Sequence, residues 1–198
     1  MNIYLDLDGV LVDFVGGLCK RCGKPYPYTQ PESLGEWNCY GLMGLTKQEV
    51  FESLSDPQFW LGLAFTHDAM DILRACRRTV GPHGVSLLSC ASGHPGAVYG
   101  KAMWQAKYLP GFQLAPVIEP NYDDKDGGDD MPRGKAVYAR PGAILVDDSD
   151  ANVEAYRDQG GPAILVPRPW NTRHVLADRA AECVTRELAS ITEEMEAA

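Results

Sequence analysis

Five short apolar runs, "NIYLDL", "GVSLLSC", "QLAPVI", "GAILVDD" and "PAILVP", constrain this chain more than any other feature. Each is rich in Val, Ile or Leu and is bounded by Gly, Pro or Asp, as in strands covered on both faces. Helical patterns lie between the later runs, among them "GAVYGKAMWQAKYL" and "DANVEAYRDQGG", the second stopped by Gly160, Gly161 and Pro162. Strand and helix in alternation predict an α/β chain with a mostly parallel, doubly wound sheet.

The segment between the first and second runs is too long for one crossover helix. It contains "TKQEVFESL", where Thr46 and Glu49 fit a capping box, and "HDAMDILRACRRTV", where Ala69, Ile72, Leu73, Cys76 and Val80 share an apolar face. The reading is a small helical cap over residues 14–82, with a core domain over 1–13 and 83–198. An insertion after the first strand falls at the strand's carboxyl end, where open sheets bind ligands. The closing stretch, with Leu176, Ala180, Val184, Leu188 and Ile191 on one side, reads as a packing helix.

Composition narrows the function classes. With 198 residues, 45% of them hydrophobic, the chain is long enough to bury a sizeable core. A net charge of −9 argues against a nucleic-acid polymer as partner, because such binding rests on many Lys/Arg contacts to phosphates. No apolar stretch approaches the roughly 20 residues that span a bilayer, so no membrane association is expected and a cytoplasmic location is. Six cysteines without a secretory pattern read as reduced thiols. Cys19, Cys22 and Cys39 lack a well-spaced fourth zinc ligand, and Cys19 and Cys22 read instead as small buried residues, as do Cys76, Cys90 and Cys183.

The chemistry collects at two strand ends. Asp6 and Asp8 close the first run, where side chains two apart point to the same side. Two carboxylates this close repel, so one is protonated or a cation sits between them. Gly9 then lets the backbone turn and a ligand approach. Asp147 and Asp148 close the fourth run, and if the two strands are adjacent the acidic ends form a cluster suited to Mg²⁺. Asp150 reads as the cap of the following helix.

"DLDGVL", "LLS" at the end of the second run, the lysine of "RGKAVYA", and "LVDD" occur in that order, and together they resemble the haloacid dehalogenase (HAD) superfamily of phosphohydrolases. The resemblance implies a HAD-like Rossmannoid three-layer fold, with a parallel five-stranded sheet and a small helical cap inserted after the first strand. It implies an Asp6 nucleophile that forms an aspartyl phosphate, and an Asp8 acid/base. Ser89 and Lys135 would hold the phosphoryl group, and Asp6, Asp8 through its carbonyl, Asp147 and Asp148 would hold Mg²⁺. Ser92 competes with Ser89 for the phosphoryl contact; Lys101 and Lys107 compete with Lys135 but lie on an apolar-periodic helix and read as surface residues, whereas Lys135 stands twelve residues before Asp147.

Within the superfamily the chain is similar to the 5'(3')-deoxyribonucleotidases over most of its length, with a poor match from Lys24 to Gly44. That likeness implies a nucleoside monophosphate as the small phosphorylated substrate. Phe14 would stack on its base, Trp37 and Tyr40 are further candidates, and Cys90 and Ser92 would complete the binding set. Phe59 and Trp60 rank behind Trp37 and Tyr40 as candidates, because aromatics in a small cap are more often its core than a ligand shelf. An acidic loop over residues 120–134 departs from the family and reads as solvated. Alternative readings are a HAD phosphatase for a sugar phosphate or other small phosphoester, or a non-catalytic binding protein on the same fold. A homodimer stays open.

Overall fold

A computed structural model of the chain describes residues 1–91, 94–118 and 134–197. Five strands form one parallel sheet: β1 (Asn2–Leu5), β2 (Val85–Ala91), β3 (Leu114–Ile118), β4 (Ala143–Asp147) and β5 (Ala163–Leu165), in the order β3-β2-β1-β4-β5. The helices are α1 (Phe14–Cys22), α2 (Cys39–Leu42), α3 (Lys47–Ser55), α4 (Pro57–Leu61), α5 (Ala69–Val80), α6 (Pro95–Tyr108), α7 (Asp150–Asp158) and α8 (Ala180–Ala197). Short 3₁₀ turns cover Pro31–Ser33, Gly134–Tyr138 and His174–Arg179. The five apolar runs are therefore the five strands.

Alternate residues of the central strands feed two separate cores, as a sheet covered on both faces requires. Ile3, Leu5, Leu87, Ile144 and Val146 pack with the side chains of α5, α8 and the insertion, and Ala97 and Trp104 of α6 join them. Tyr4, Leu88 and Leu145 face the other way, against Val153 and Tyr156 of α7 and the Gly134–Tyr138 turn. The result is the three-layer arrangement expected from the sequence, with β1 central and paired to β2 and β4.

Local signals behave as their chemistry dictates. The Thr46–Glu49 capping box opens α3, with both reciprocal bonds made. Asp13 caps α1 by accepting from Gly16 N at 2.9 Å. The cap of α7 is Ser149, which accepts from Asn152 N at 3.3 Å, not Asp150 as the sequence led one to expect. Asp150 instead accepts from the backbone and hydroxyl of Thr172. Cys19 is buried with its Sγ 3.4 Å from Met43 Sδ. Among the described residues no helix is long and apolar enough to cross a membrane.

Two glycines seat α6 against the end of α3 and against α4. A Cβ at Gly96 would lie 2.2 Å from Ser55 O, and one at Gly100 would lie 2.6 Å from Trp60 Cβ. Only bare backbone permits that approach.

A buried ion pair fastens the loop after β1. Arg168 grips Asp68 with two bonds of 2.8 and 2.9 Å, and also donates to the carbonyls of Gly9 and Val10. Burial pushes the Asp68 carboxyl up, but its bonds to Arg168 win and hold it below the usual range. A depressed pKa contributes stability above the unfolded value, about 3.9, and that contribution fades as pH falls through the folded value. Asp68→Asn, which strands the guanidinium, is expected to lose about 3–5 kcal/mol in urea unfolding at neutral pH. The variant is also expected to show a shallower loss of stability below about pH 4 than the parent.

Candidate active site

The two acidic strand ends meet. The β1–β4 register runs Leu5↔Val146, so its next step sets Asp6 beside Asp147, and Asp6 N donates to Val146 O at 3.0 Å. One carboxylate oxygen from each of Asp6, Asp147 and Asp148 lies within 4.8 Å of the others, and all three residues are buried. Above this floor opens a cavity of about 430 Å³. Asp6, Asp8, Cys90, Lys101, Lys135 and Asp148 line its polar end; Phe14, Val15, Tyr28, Trp37, Tyr40, Leu54, Trp60 and Trp170 line its walls.

Gly9 makes the floor compact. Its φ is +73°, and a Cβ there would lie 2.0 Å from Asp148 Oδ2, so both backbone conformation and space require glycine.

Two lysines reach the carboxylates from opposite faces of the sheet. Lys135, fully buried in the Gly134–Tyr138 turn, lies 2.6 Å from Asp6 Oδ1 and 2.6 Å from Asp147 Oδ2. Burial alone would lower its pKa, but Asp147 and Asp6 raise it, so the ammonium stays charged. Lys101 comes from α6 and spends three donors on Asp8 Oδ2, Ser89 Oγ (2.9 Å) and Cys90 O. Its Nζ also sits 4.7 Å above the centre of the Trp60 ring.

Lys101 corrects the sequence reading, which left it on the surface: it is 5% exposed. Lys107 is exposed as expected. The signal for Lys101 lay in the helical pattern. Ala97, Lys101 and Trp104 are spaced four and three apart, which puts them on one stripe, and all three are buried.

The four acidic side chains are not equivalent. Both bonds to Asp6, from Leu7 N and Lys135 Nζ, end on Oδ1, so among the described residues Oδ2 meets no donor. Asp147 is fully engaged: Oδ2 takes Lys135, and Oδ1 takes Ser149 N at 2.9 Å and Asn152 Nδ2 at 3.2 Å. Asp148 Oδ2 accepts from Trp170 Nε1 at 2.6 Å. Burial, with Asp147 and Asp8 adding and Lys135 opposing, pushes the Asp6 carboxyl up to about 7. Burial and the charges of Asp147 and Asp6 push Asp148 upward too, against the bond from Trp170.

That crowding tests the fit of a cation. Three buried carboxylates held together resist ionising at once, and a divalent cation removes the cost. All the donors are hard oxygens, which suits Mg²⁺ rather than a soft metal.

Phe14, Trp37 and Tyr40 all line the cavity, and Cys90 does too. Phe14 stacks on Trp60 with ring centres 5.6 Å apart and meets Tyr40 and Phe59 edge-on. Trp60, one of the lesser stacking candidates, is buried and forms part of the cavity wall, while Phe59, the other, packs against it and is not among the lining residues. Ser89 is buried beneath Lys101. Ser92 and nearly all of the acidic loop 120–134 fall outside the described residues. Trp170 and Asn152 are cavity residues that the sequence reading did not single out, and Lys101 is one that it set aside.

These features define an α/β protein with a Rossmann-type parallel sheet and a buried, lysine-clamped carboxylate cluster at the carboxyl edge of its strands. No protein-family model matches the chain, and no curated protein does. Solved structures resemble it at low identity. A haloacid dehalogenase-like family hydrolase from Streptococcus pneumoniae is 15% identical, over 89% of each chain, with a TM-score of 0.46. The L-2-haloacid dehalogenase from Xanthobacter autotrophicus is 16% identical, over 99% of this chain and 86% of that one, with a TM-score of 0.46. A chain of a Pnkp1/Rnl/Hen1 complex is 13% identical over 83% of this chain, with a TM-score of 0.42, and this chain spans 45% of its length. The chemistry rests on the side chains.

Proposed function

We propose that the chain is a Mg²⁺-dependent phosphomonoesterase of the HAD superfamily, with a nucleoside monophosphate as substrate. The observation that carries this reading is the convergence of Asp6, Asp8, Ser89, Lys101 and Lys135 at the floor of one aromatic-walled cavity. Residues 14–82 are assigned as its cap.

Asp6 Oδ2 attacks phosphorus, forming an aspartyl phosphate while the bond to the leaving oxygen breaks. Asp8 gives that oxygen its proton, then takes one from the water that hydrolyses the acyl phosphate, returning Asp6 as a carboxylate and releasing inorganic phosphate. Lys135, held between Asp6 and Asp147, and Lys101, held between Asp8 and Ser89, offset the negative charge that a phosphoryl group brings. Asp6, Asp148 and the backbone carbonyl of Asp8 would hold Mg²⁺, while Asp147 anchors Lys135 through Oδ2 and is itself held by Ser149 N and Asn152 Nδ2. Bound there, the cation supplies positive charge to the phosphoryl oxygens.

The walls favour a flat, apolar group beyond the phosphate. Phe14, Trp37, Tyr40 and Trp60 offer ring faces and edges suited to a nucleobase, whereas a sugar phosphate needs many polar partners. A phosphate-release panel of nucleoside and sugar monophosphates tests this reading. Nucleotides are expected to be turned over with Mg²⁺, and EDTA is expected to abolish release. Release that persists in EDTA overturns the metal, and preference for a sugar phosphate overturns the substrate.

A further inference from the structure

Trp170 has no part in the chemistry above, yet it joins the acidic floor of the cavity to its aromatic wall. Its indole Nε1 donates to Asp148 Oδ2 at 2.6 Å, and its ring packs on Tyr28 with centres 5.6 Å apart. The loop that carries it is fixed from several sides. Asn171 Nδ2 donates to Asp148 O and Val166 O, both at 2.8 Å. Asn171 Oδ1 accepts from Arg168 N at 3.2 Å and Arg173 N at 3.0 Å. From the other side, the bare backbone of Gly9 closes on both partners: a Cβ there would meet Asp148 Oδ2 at 2.0 Å and Trp170 Cζ2 at 3.0 Å.

Asp148 differs from its neighbours in that, among the described residues, no cationic donor meets it. Asp6 and Asp147 are met by the cationic Lys135, which cancels part of their charge. An indole N–H is a donor only and carries no charge. It can orient a carboxylate without neutralising it, and among the described residues Asp148 Oδ1 meets no donor. Outer partners of this sort fix the ligands of metal sites and set their affinity.

We infer that Trp170 is the positioning residue of the divalent-cation site: it locks the carboxylate of Asp148 for the ion and ties that ligand to the substrate wall. The inference rests on reading Asp148 as a cation ligand. It is tested by calorimetric titration of Mn²⁺ into the full chain, for the parent, Asp148→Asn, Trp170→Phe and Trp170→His. Asp148→Asn is expected to lose binding. Trp170→Phe, which keeps an aromatic ring but no N–H, is expected to bind about 10–100-fold more weakly, and Trp170→His, whose ring can donate, to recover part of the loss. If Trp170→Phe binds like the parent while Asp148→Asn does not bind, the positioning role is overturned and the cation site stands. If the parent takes up no Mn²⁺, or Asp148→Asn binds normally, the cation site itself falls.

A readout on the parent does not depend on a variant folding. In an NMR titration with Mg²⁺, the indole N–H of Trp170 is expected to shift more than that of Trp104, which donates to Leu63 O at 2.8 Å. Equal or absent shifts with Mg²⁺ bound overturn the role.

Discussion

Asp6→Asn is expected to lower kcat for an aryl phosphate by about a thousandfold or more, the scale on which losing a member of a catalytic unit acts. The amide keeps the shape of the side chain and an oxygen that can accept from Leu7 N and Lys135, so the local structure has no reason to rearrange. It removes the nucleophile itself. It also removes one of three buried carboxylates whose joint ionisation is unfavourable, so the melting temperature is expected to hold or rise. An inactive protein at full stability identifies a group kept for chemistry at a cost to folding. Phosphate release and a thermal melt on the same preparation decide it: retention of a tenth of the parent's kcat would sink Asp6 as nucleophile. Activity lost together with fold would give Asp6 a structural role instead.

The sheet was legible because burial on both faces leaves a plain mark: continuous runs of Val, Ile and Leu with Gly, Pro or Asp at their ends. The acidic cluster was legible for the opposite reason. Asp6 and Asp147 end apolar strands, where charge is costly, so their presence demanded an explanation that solvent could not give. Lys101 escaped because a lysine on an amphipathic helix is ordinarily solvated, and the burial of its head depends on how α6 is seated. Gly96 and Gly100 set that seating by letting the end of α3 and α4 come within contact of the helix backbone, and no period in the sequence states which neighbour a glycine admits. Trp170 escaped for a related reason. It follows β5 by several residues, in a loop whose path is fixed by Asn171 and Arg168 reaching chain segments far away in sequence. Ser149 and Asp150 are both good caps, and the choice between them turned on Thr172, which takes Asp150 for itself.

Lys101→Met is expected to lower kcat by about a hundredfold, the loss that follows removal of one preorganised donor from a charge-developing site. Methionine keeps an unbranched apolar stem over Trp60 but leaves Asp8 Oδ2 and Ser89 Oγ without their shared cation. The cost to folding is expected to be about 1–3 kcal/mol, set by buried Ser89 and the Cys90 carbonyl, because the side chain of Asp8 is 28% exposed and water can replace the donor it loses. Lys135→Met separates the two lysines. Its partners, Asp6 and Asp147, are 8% and 0% exposed, so both would be left buried and uncompensated, and about 3–5 kcal/mol of stability is expected to go with the activity. Urea unfolding alongside steady-state kinetics therefore sorts the roles. A stable, slow Lys101→Met protein with KM little changed marks a group that acts on the reacting phosphoryl. Parent-like kcat in that variant would return Lys101 to the role of a packing cation beneath the cap, with Lys135 left as the only ammonium among the described residues that reaches Asp6.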